Sequence, residues 1–153
     1  SVNNKNLVVE KCRTDHLVLI VPPGHELAKE EVVPIKRVAD YPFICREEGS
    51  GTREVMIESM HDAGVSTSDL NIVMELGSLE AIKGAVESGM GVSILSNATI
   101  QKELKLGTLA AVQIDPPIDR PFSFVHQKQK FRVRVMEELL DFARAYCEKH
   151  REV

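Results

Sequence analysis

Between Arg46 and Arg53 the chain reads REEGSGTR, and the residues that follow, EVMIESMHDAG, have the spacing of a helix. Two glycines, a serine, a threonine and an arginine thus gather where a helix begins. Two kinds of chemistry suit that composition. Mechanically, small residues turn the chain from strand to helix, and the hydroxyl of Ser50 or Thr52 caps the first turn. Chemically, a helix start presents unpaired backbone N–H groups and the positive end of the helix dipole, and glycines let a ligand approach the backbone closely. A carboxylate, sulfate or phosphate is stabilised in such a place, and Arg53 could add a charge-assisted hydrogen bond. The octapeptide alone admits both readings.

The same pattern recurs at ELGSLEA, where Gly77 and Ser78 lead from a strand into another helix. In open parallel sheets, ligands lie beyond the carboxyl ends of the strands, near such helix starts. Two starts leaving one kind of sheet edge favour an anion site more than either does alone. The candidate binding residues are Ser50, Gly51, Thr52, Arg53, Gly77 and Ser78.

Other chemistry has little footing. Cys12, Cys45 and Cys147 are an odd number of cysteines, widely spaced and without a CxxC. They read as small buried apolar residues rather than as a disulfide framework or a zinc knuckle. Cys45 precedes the candidate loop, but a thiol sensor needs an exposed thiolate of low pKa and usually a second cysteine. His16, His25, His61, His126 and His150 show neither HxxxH nor HExxH spacing, so no metal is expected. A triad assembled from Ser50, His126 and an aspartate lacks the GxSxG elbow. The expectation is a protein that is not an enzyme and carries no cofactor.

Composition bounds the partners. Hydrophobic residues make up 43% of the 153 and charged residues 27%, which excludes general disorder. The formal net charge of −4 argues against nucleic-acid binding by these residues themselves, because neutralising phosphates takes a basic face. No apolar run approaches the roughly 18 residues of a membrane span, and SVNNKNLVVEK has no signal-peptide core. A cytoplasmic location without membrane contact is expected.

The elements that must position these residues alternate, as in α/β proteins. Strands are predicted over Leu7–Cys12 and Leu17–Val21, then a short helical turn at PIKRVAD and a strand at YPFICR. A helix is predicted from Thr52 to Ala63, with Val55, Met56, Ser59 and Met60 on one face and Gly64 as its terminator. LNIVMEL reads as a strand, LEAIKGAVESG as a helix ending at Gly89, and GVSILS as a buried strand. Ser96-Asn97 is expected to cap a third helix, ATIQKELKLG. TLAAVQI and PFSFVHQ read as strands around Pro116-Pro117. The basic FRVRVMEE reads as the solvated start of a terminal amphipathic helix with Met136, Leu139, Leu140, Ala143 and Cys147 in one stripe.

DHLVLIVPPGHELA, VADYPFICREEGSGTRE and ELGSLEAIKGAVESGMGVSILS, in that order and spacing, resemble the effector-binding domain of LysR-type transcriptional regulators. The resemblance runs from Leu7 to about Cys147, and VPPGH and GSLEAIKGAVESGMGVSIL are its most specific parts. It implies a fold similar to type 2 periplasmic binding proteins, with two α/β lobes joined by two crossover strands, here Val8–Leu17 and Val112–Pro121. Residues 1–17 would then be a partial first lobe and first crossover, 18–111 a complete second lobe, and 112–153 the second crossover and the return to the first lobe. The first lobe would be incomplete, since the family's opening strand-helix-strand-helix-strand unit has no counterpart in these residues.

The resemblance further implies a sensor in a bacterial regulator, binding a small anionic metabolite between the lobes. DNA would be reached only through an N-terminal winged helix-turn-helix that these residues lack. REEGSGTR resembles members that control sulfur, nitrogen or inorganic-carbon assimilation. His16 and His126 would fall near the hinges, as hydrogen-bonded structural histidines. A transport-type solute-binding protein shares the fold and is the alternative. Finally, an incomplete first lobe would leave Phe122–Gln127 and the helix from Val133 to Cys147 partly uncovered, so self-association through them is expected.

Overall fold

Leu17, Val18, Leu19, Ile20 and Val21 are all buried. Five successive buried apolar residues mean that both faces of the strand are covered, as in the middle of a layered α/β domain. They form the second half of β1 (Leu7–Val21), which runs without a break where two short strands are predicted. The polar residues between the runs do not end it, because Asp15 pairs with Arg120 at 3.4 Å and His16 pairs with Asp119.

The structure, a computed structural model, describes residues 7–127 and 134–149. After β1 come β2 (Val32–Pro34), β3 (Pro42–Arg46), α1 (Gly51–Asp62), β4 (Asn71–Leu76), α2 (Leu79–Glu87), β5 (Ser93–Ser96), α3 (Gln101–Leu106), β6 (Ala110–Asp115), β7 (Ile118–Gln127) and α4 (Arg134–Lys149). Short 3-10 turns link them, including the predicted one at Ile35–Asp40. The chain divides into two compact units, one of Ser1–Asp15 with Arg120–Val153 and the other of His16–Asp119.

The main sheet has the order β2-β6-β1-β5, with β7 also pairing β1. It is mixed rather than parallel. β1 runs antiparallel to β5 and to β6, while β2 is parallel to β6. Beside it β3 and β4 pair in parallel, and Phe43 makes a parallel bridge to Val92. Parallel pairing of consecutive strands requires a crossover, and α1 supplies it between β3 and β4.

Side chains alternate across β1. Leu17, Leu19 and Val21 join Phe43, Met56, Met60 and Ile94 in one apolar cluster. Val18 and Ile20 join Ile44, Ile82, Val86, Leu95 and Ile100 in the other. One face of β1 is therefore packed with α1 and the opposite face with α2. The predicted stripe of α1 is the face that buries Met56 and Met60, and Gly64 follows the helix with φ of 79°. The third helix is shorter than predicted. Asn97–Thr99 is a 3-10 turn, Ser96 makes no capping hydrogen bond, and α3 begins after Ile100, whose non-helical backbone seats its fully buried side chain in the second cluster.

Candidate functional site

Arg46 at the end of β3 stands opposite Leu76 at the end of β4. Parallel strands end at the same sheet edge, so the turns into α1 and α2 leave side by side. A Cβ placed on Gly77 would lie 3.9 Å from Oε2 of Glu47, which measures how close the two turns come. Gly49 enters the first turn with φ of 86°, a left-handed conformation that favours glycine.

Ser50 is the N-cap of α1, with its Oγ accepting from the Arg53 N–H at 3.4 Å. Ser78 is the N-cap of α2, with its Oγ accepting from the Ala81 N–H at 3.3 Å. Each cap satisfies one of the free donors at its helix start and leaves the others for water or a ligand. Ser50 and Thr52 are buried, whereas Gly51, Gly77 and Ser78 are exposed. The Thr52 side chain has no hydrogen-bond partner among the described residues.

Arg53 already has partners within the protein. Its Nη1 donates to the Arg46 carbonyl oxygen at 2.8 Å and to Glu75 Oε2 at 3.1 Å, so the guanidinium ties the ends of β3 and β4 together. Arg46 grips both carboxylate oxygens of Glu47, each at 3.1 Å, and these hydrogen bonds hold the Glu47 carboxyl below the usual carboxylate range. Both arginines are already paired, and the two helix starts add the positive ends of their dipoles at this edge. Sequence reasoning passes over Glu75, whose role depends on which strand lies beside β4.

Cys45 is a free, buried thiol, and desolvation raises its pKa. Cys147 departs from expectation, since it is half-buried and disulfide-bonded. Its spacing could not reveal a partner brought close only by folding. The His16 Nδ1 is hydrogen-bonded to the Asp119 carboxylate. The side chains of Cys12 and His126 lie outside the described residues. Among the described residues no group of three His, Cys, Asp or Glu side chains could hold a metal ion. No described helix is long and apolar enough to cross a membrane.

Two helix starts side by side at one sheet edge suit a bound anion, and comparison with known proteins gives the class of domain. The chain belongs to the LysR substrate binding domain family, which it matches over residues 1–148. It is 42% identical over 113 residues, 74% of this chain and 38% of the relative, to an uncharacterized HTH-type transcriptional regulator of Methanocaldococcus jannaschii. It is 33% identical over 147 residues, 95% of this chain and 47% of the relative, to the HTH-type transcriptional activator CmpR of Synechocystis.

The Synechocystis CcmR regulatory domain, solved in complex with 2-PG, shares 32% identity and a TM-score of 0.81, covering 98% of this chain and 72% of that one. The effector binding domain of QuiR, solved with shikimate, shares the fold at 23% identity and a TM-score of 0.78, covering 99% and 71%. The fold is thus the periplasmic-binding-protein-like one of LysR effector-binding domains, and the effector-binding reading holds over the transport-type alternative. The chain spans less than half the length of the two curated relatives named here, 38% and 47%.

Proposed function

We propose that this chain senses a small anionic metabolite for a LysR-type transcriptional regulator, and that the anion sits at the paired starts of α1 and α2 against Ser50, Gly51, Thr52, Gly77 and Ser78. The observation that carries this reading is the adjacency of two capped helix starts, one of which holds a buried Thr52 with no side-chain hydrogen-bond partner among the described residues. An anion there would accept from free backbone N–H groups and from the Thr52 hydroxyl, which are charge-assisted bonds in a partly dehydrated setting. Arg53 contributes by holding the strand ends rather than by direct contact. The complex of the similar CcmR domain with 2-PG supports an anionic effector.

Binding would act by population shift. A ligand that fits one conformation of the regulator better than another biases the whole protein by that difference in affinity. DNA contact would then belong to other residues of the regulator, in keeping with the net charge of −4 here. A DNA-binding regulator works where the DNA is, so the reading implies a cytoplasmic protein. The test is calorimetry with a panel of small phosphates and carboxylates that includes 2-PG. Binding that the Ser50→Ala, Thr52→Val double variant loses supports the site, and equal binding by that variant removes it.

Self-association is a second proposal, carried by α4. Leu139, Phe142 and Tyr146 recur at helical spacing and are each more than half exposed, at 59%, 69% and 55%. With Ala143 and Cys147 they line an apolar groove of about 400 Å³. Burying that face against a second copy would remove it from water. The side chains of Phe122–Gln127 and of Val133, expected at the same contact, lie outside the described residues.

A further inference from the structure

Lys83 is a charged residue in the interior. It sits in the second turn of α2, between residues of the second apolar cluster, and its side chain is only 9% exposed. Its Nζ donates to Glu103 Oε1 on α3 at 2.9 Å and to Glu80 Oε1 at 3.2 Å. The other Glu103 oxygen is buried with no hydrogen-bond partner among the described residues. Nearer the end of α2, the Thr108 hydroxyl reaches both Glu87 Oε1 and the Glu103 carbonyl oxygen at 3.5 Å. The Thr108 N–H also donates to that carbonyl at 3.0 Å. Lys83 and Glu87, four residues apart, form a polar seam from α2 to α3 and the turn after it, and the exposed Glu80 adds a bond to Lys83 from the same helix.

Ile82, Ala85 and Val86, with Leu79 partly buried beside them, give α2 its apolar contacts. Apolar contact holds a helix against its neighbours but is non-directional, whereas a hydrogen-bonded ion pair demands a particular geometry. A buried pair is also a weak source of net stability, because desolvating two charges offsets most of their attraction. What such a pair can supply is orientation.

We infer that Lys83 and Glu103 form a positioning pair that sets the rotation and axial position of α2, and so places the Ser78 hydroxyl and the free N–H groups of Leu79 and Glu80 in the anion site. The inference rests on the reading of the α2 start as half of that site. Neither residue touches the ligand.

The test replaces both charges at once, with Lys83→Met and Glu103→Met together in the whole protein, and uses inorganic phosphate as probe. The melting temperature should stay near that of the parent protein. The NMR amide signals of Ser78 to Ala81 should shift without ligand, and phosphate affinity should fall by about tenfold or more, as for a misaligned hydrogen bond to a charged group. Lys83→Arg, which keeps the pair, should preserve both signals and affinity. If the double variant does not fold, Glu103→Gln, which keeps shape and loses charge, is read the same way. Unchanged amide signals in the double variant overturn the inference whatever phosphate does. Shifted signals in a protein whose parent form binds no phosphate would support the positioning of α2 and overturn the anion-site reading instead.

Discussion

Ser50 and Thr52 lie two residues apart at the start of α1, and they should respond to substitution in opposite ways. Ser50 caps the helix, so Ser50→Ala should lower stability by about 1 kcal/mol. Thr52 makes no side-chain hydrogen bond among the described residues, so Thr52→Val should leave stability unchanged or raise it. Together they should weaken effector binding by about 1–3 kcal/mol, read by calorimetry alongside thermal melting. Burial pushes the Cys45 thiol up in pKa, so it stays protonated and unreactive at neutral pH. Iodoacetamide should leave Cys45 unmodified in native protein and alkylate it in urea, as intact mass would show.

For Glu103, the hydrogen bond from Lys83 lowers the folded pKa against the opposing effect of burial. A carboxyl with a depressed folded pKa contributes stability above its unfolded value of about 4.3 and loses it as pH falls through the lower folded value. Lys83 is raised: desolvation lowers it, but its bonds to Glu103 and Glu80 outweigh that effect, so its contribution persists below the ordinary lysine value and fades above it. The urea midpoint should therefore drop on acidification below about pH 4.3 more steeply in the parent protein than in the Lys83→Met, Glu103→Met variant.

At the scale of elements, the sheet edge that carries the site depends on how closely β3 approaches the strand leading into β5. Val92 N–H donates to the Pro42 carbonyl oxygen at 2.9 Å, Ile44 N–H to the Val92 carbonyl oxygen at 2.8 Å, and the Ser93 hydroxyl to the Ile44 carbonyl oxygen at 2.7 Å. Gly91 makes that approach possible, because a Cβ there would meet the Pro42 carbonyl oxygen at 2.7 Å. The obstacle is backbone, which cannot swing aside as a side chain can. Gly91→Ala should destabilise the protein by about 1–3 kcal/mol in urea titration, as overpacking does elsewhere. Wild-type stability for this variant would show that β3 can shift and that the site's floor is softer than its hydrogen bonds suggest.

At the scale of the whole molecule, the question is whether the exposed apolar face of α4 is covered by a second copy. Charges placed at two exposed positions of its apolar face, Leu139→Lys with Phe142→Glu, should shift light scattering toward the monomer without lowering the melting temperature, since neither side chain is in the described core. An unchanged mass would show that the α4 face is not the contact.

What the sequence by itself determined is what local chemistry controls. Serine is a favoured helix cap, so Ser50 and Ser78 could be read as helix starts, and Gly64 as a helix end, before any fold was known, although the same reading failed at Ser96. The order of the strands and helices other than β2 followed from the same punctuation, and the family from motifs that span those turns. Only the tertiary structure decided which strands are neighbours. It joined two predicted strands into one β1, made the main sheet mixed, and set the ends of β3 and β4 side by side so that two separate turns face one another. It turned Arg53 back onto Glu75, paired Lys83 with a glutamate 20 residues away, and placed Cys147 in a disulfide. Capping and turn energies depend on a few adjacent residues, whereas pairing, burial and ion contacts depend on which surfaces meet. That is settled by the packing of the whole chain.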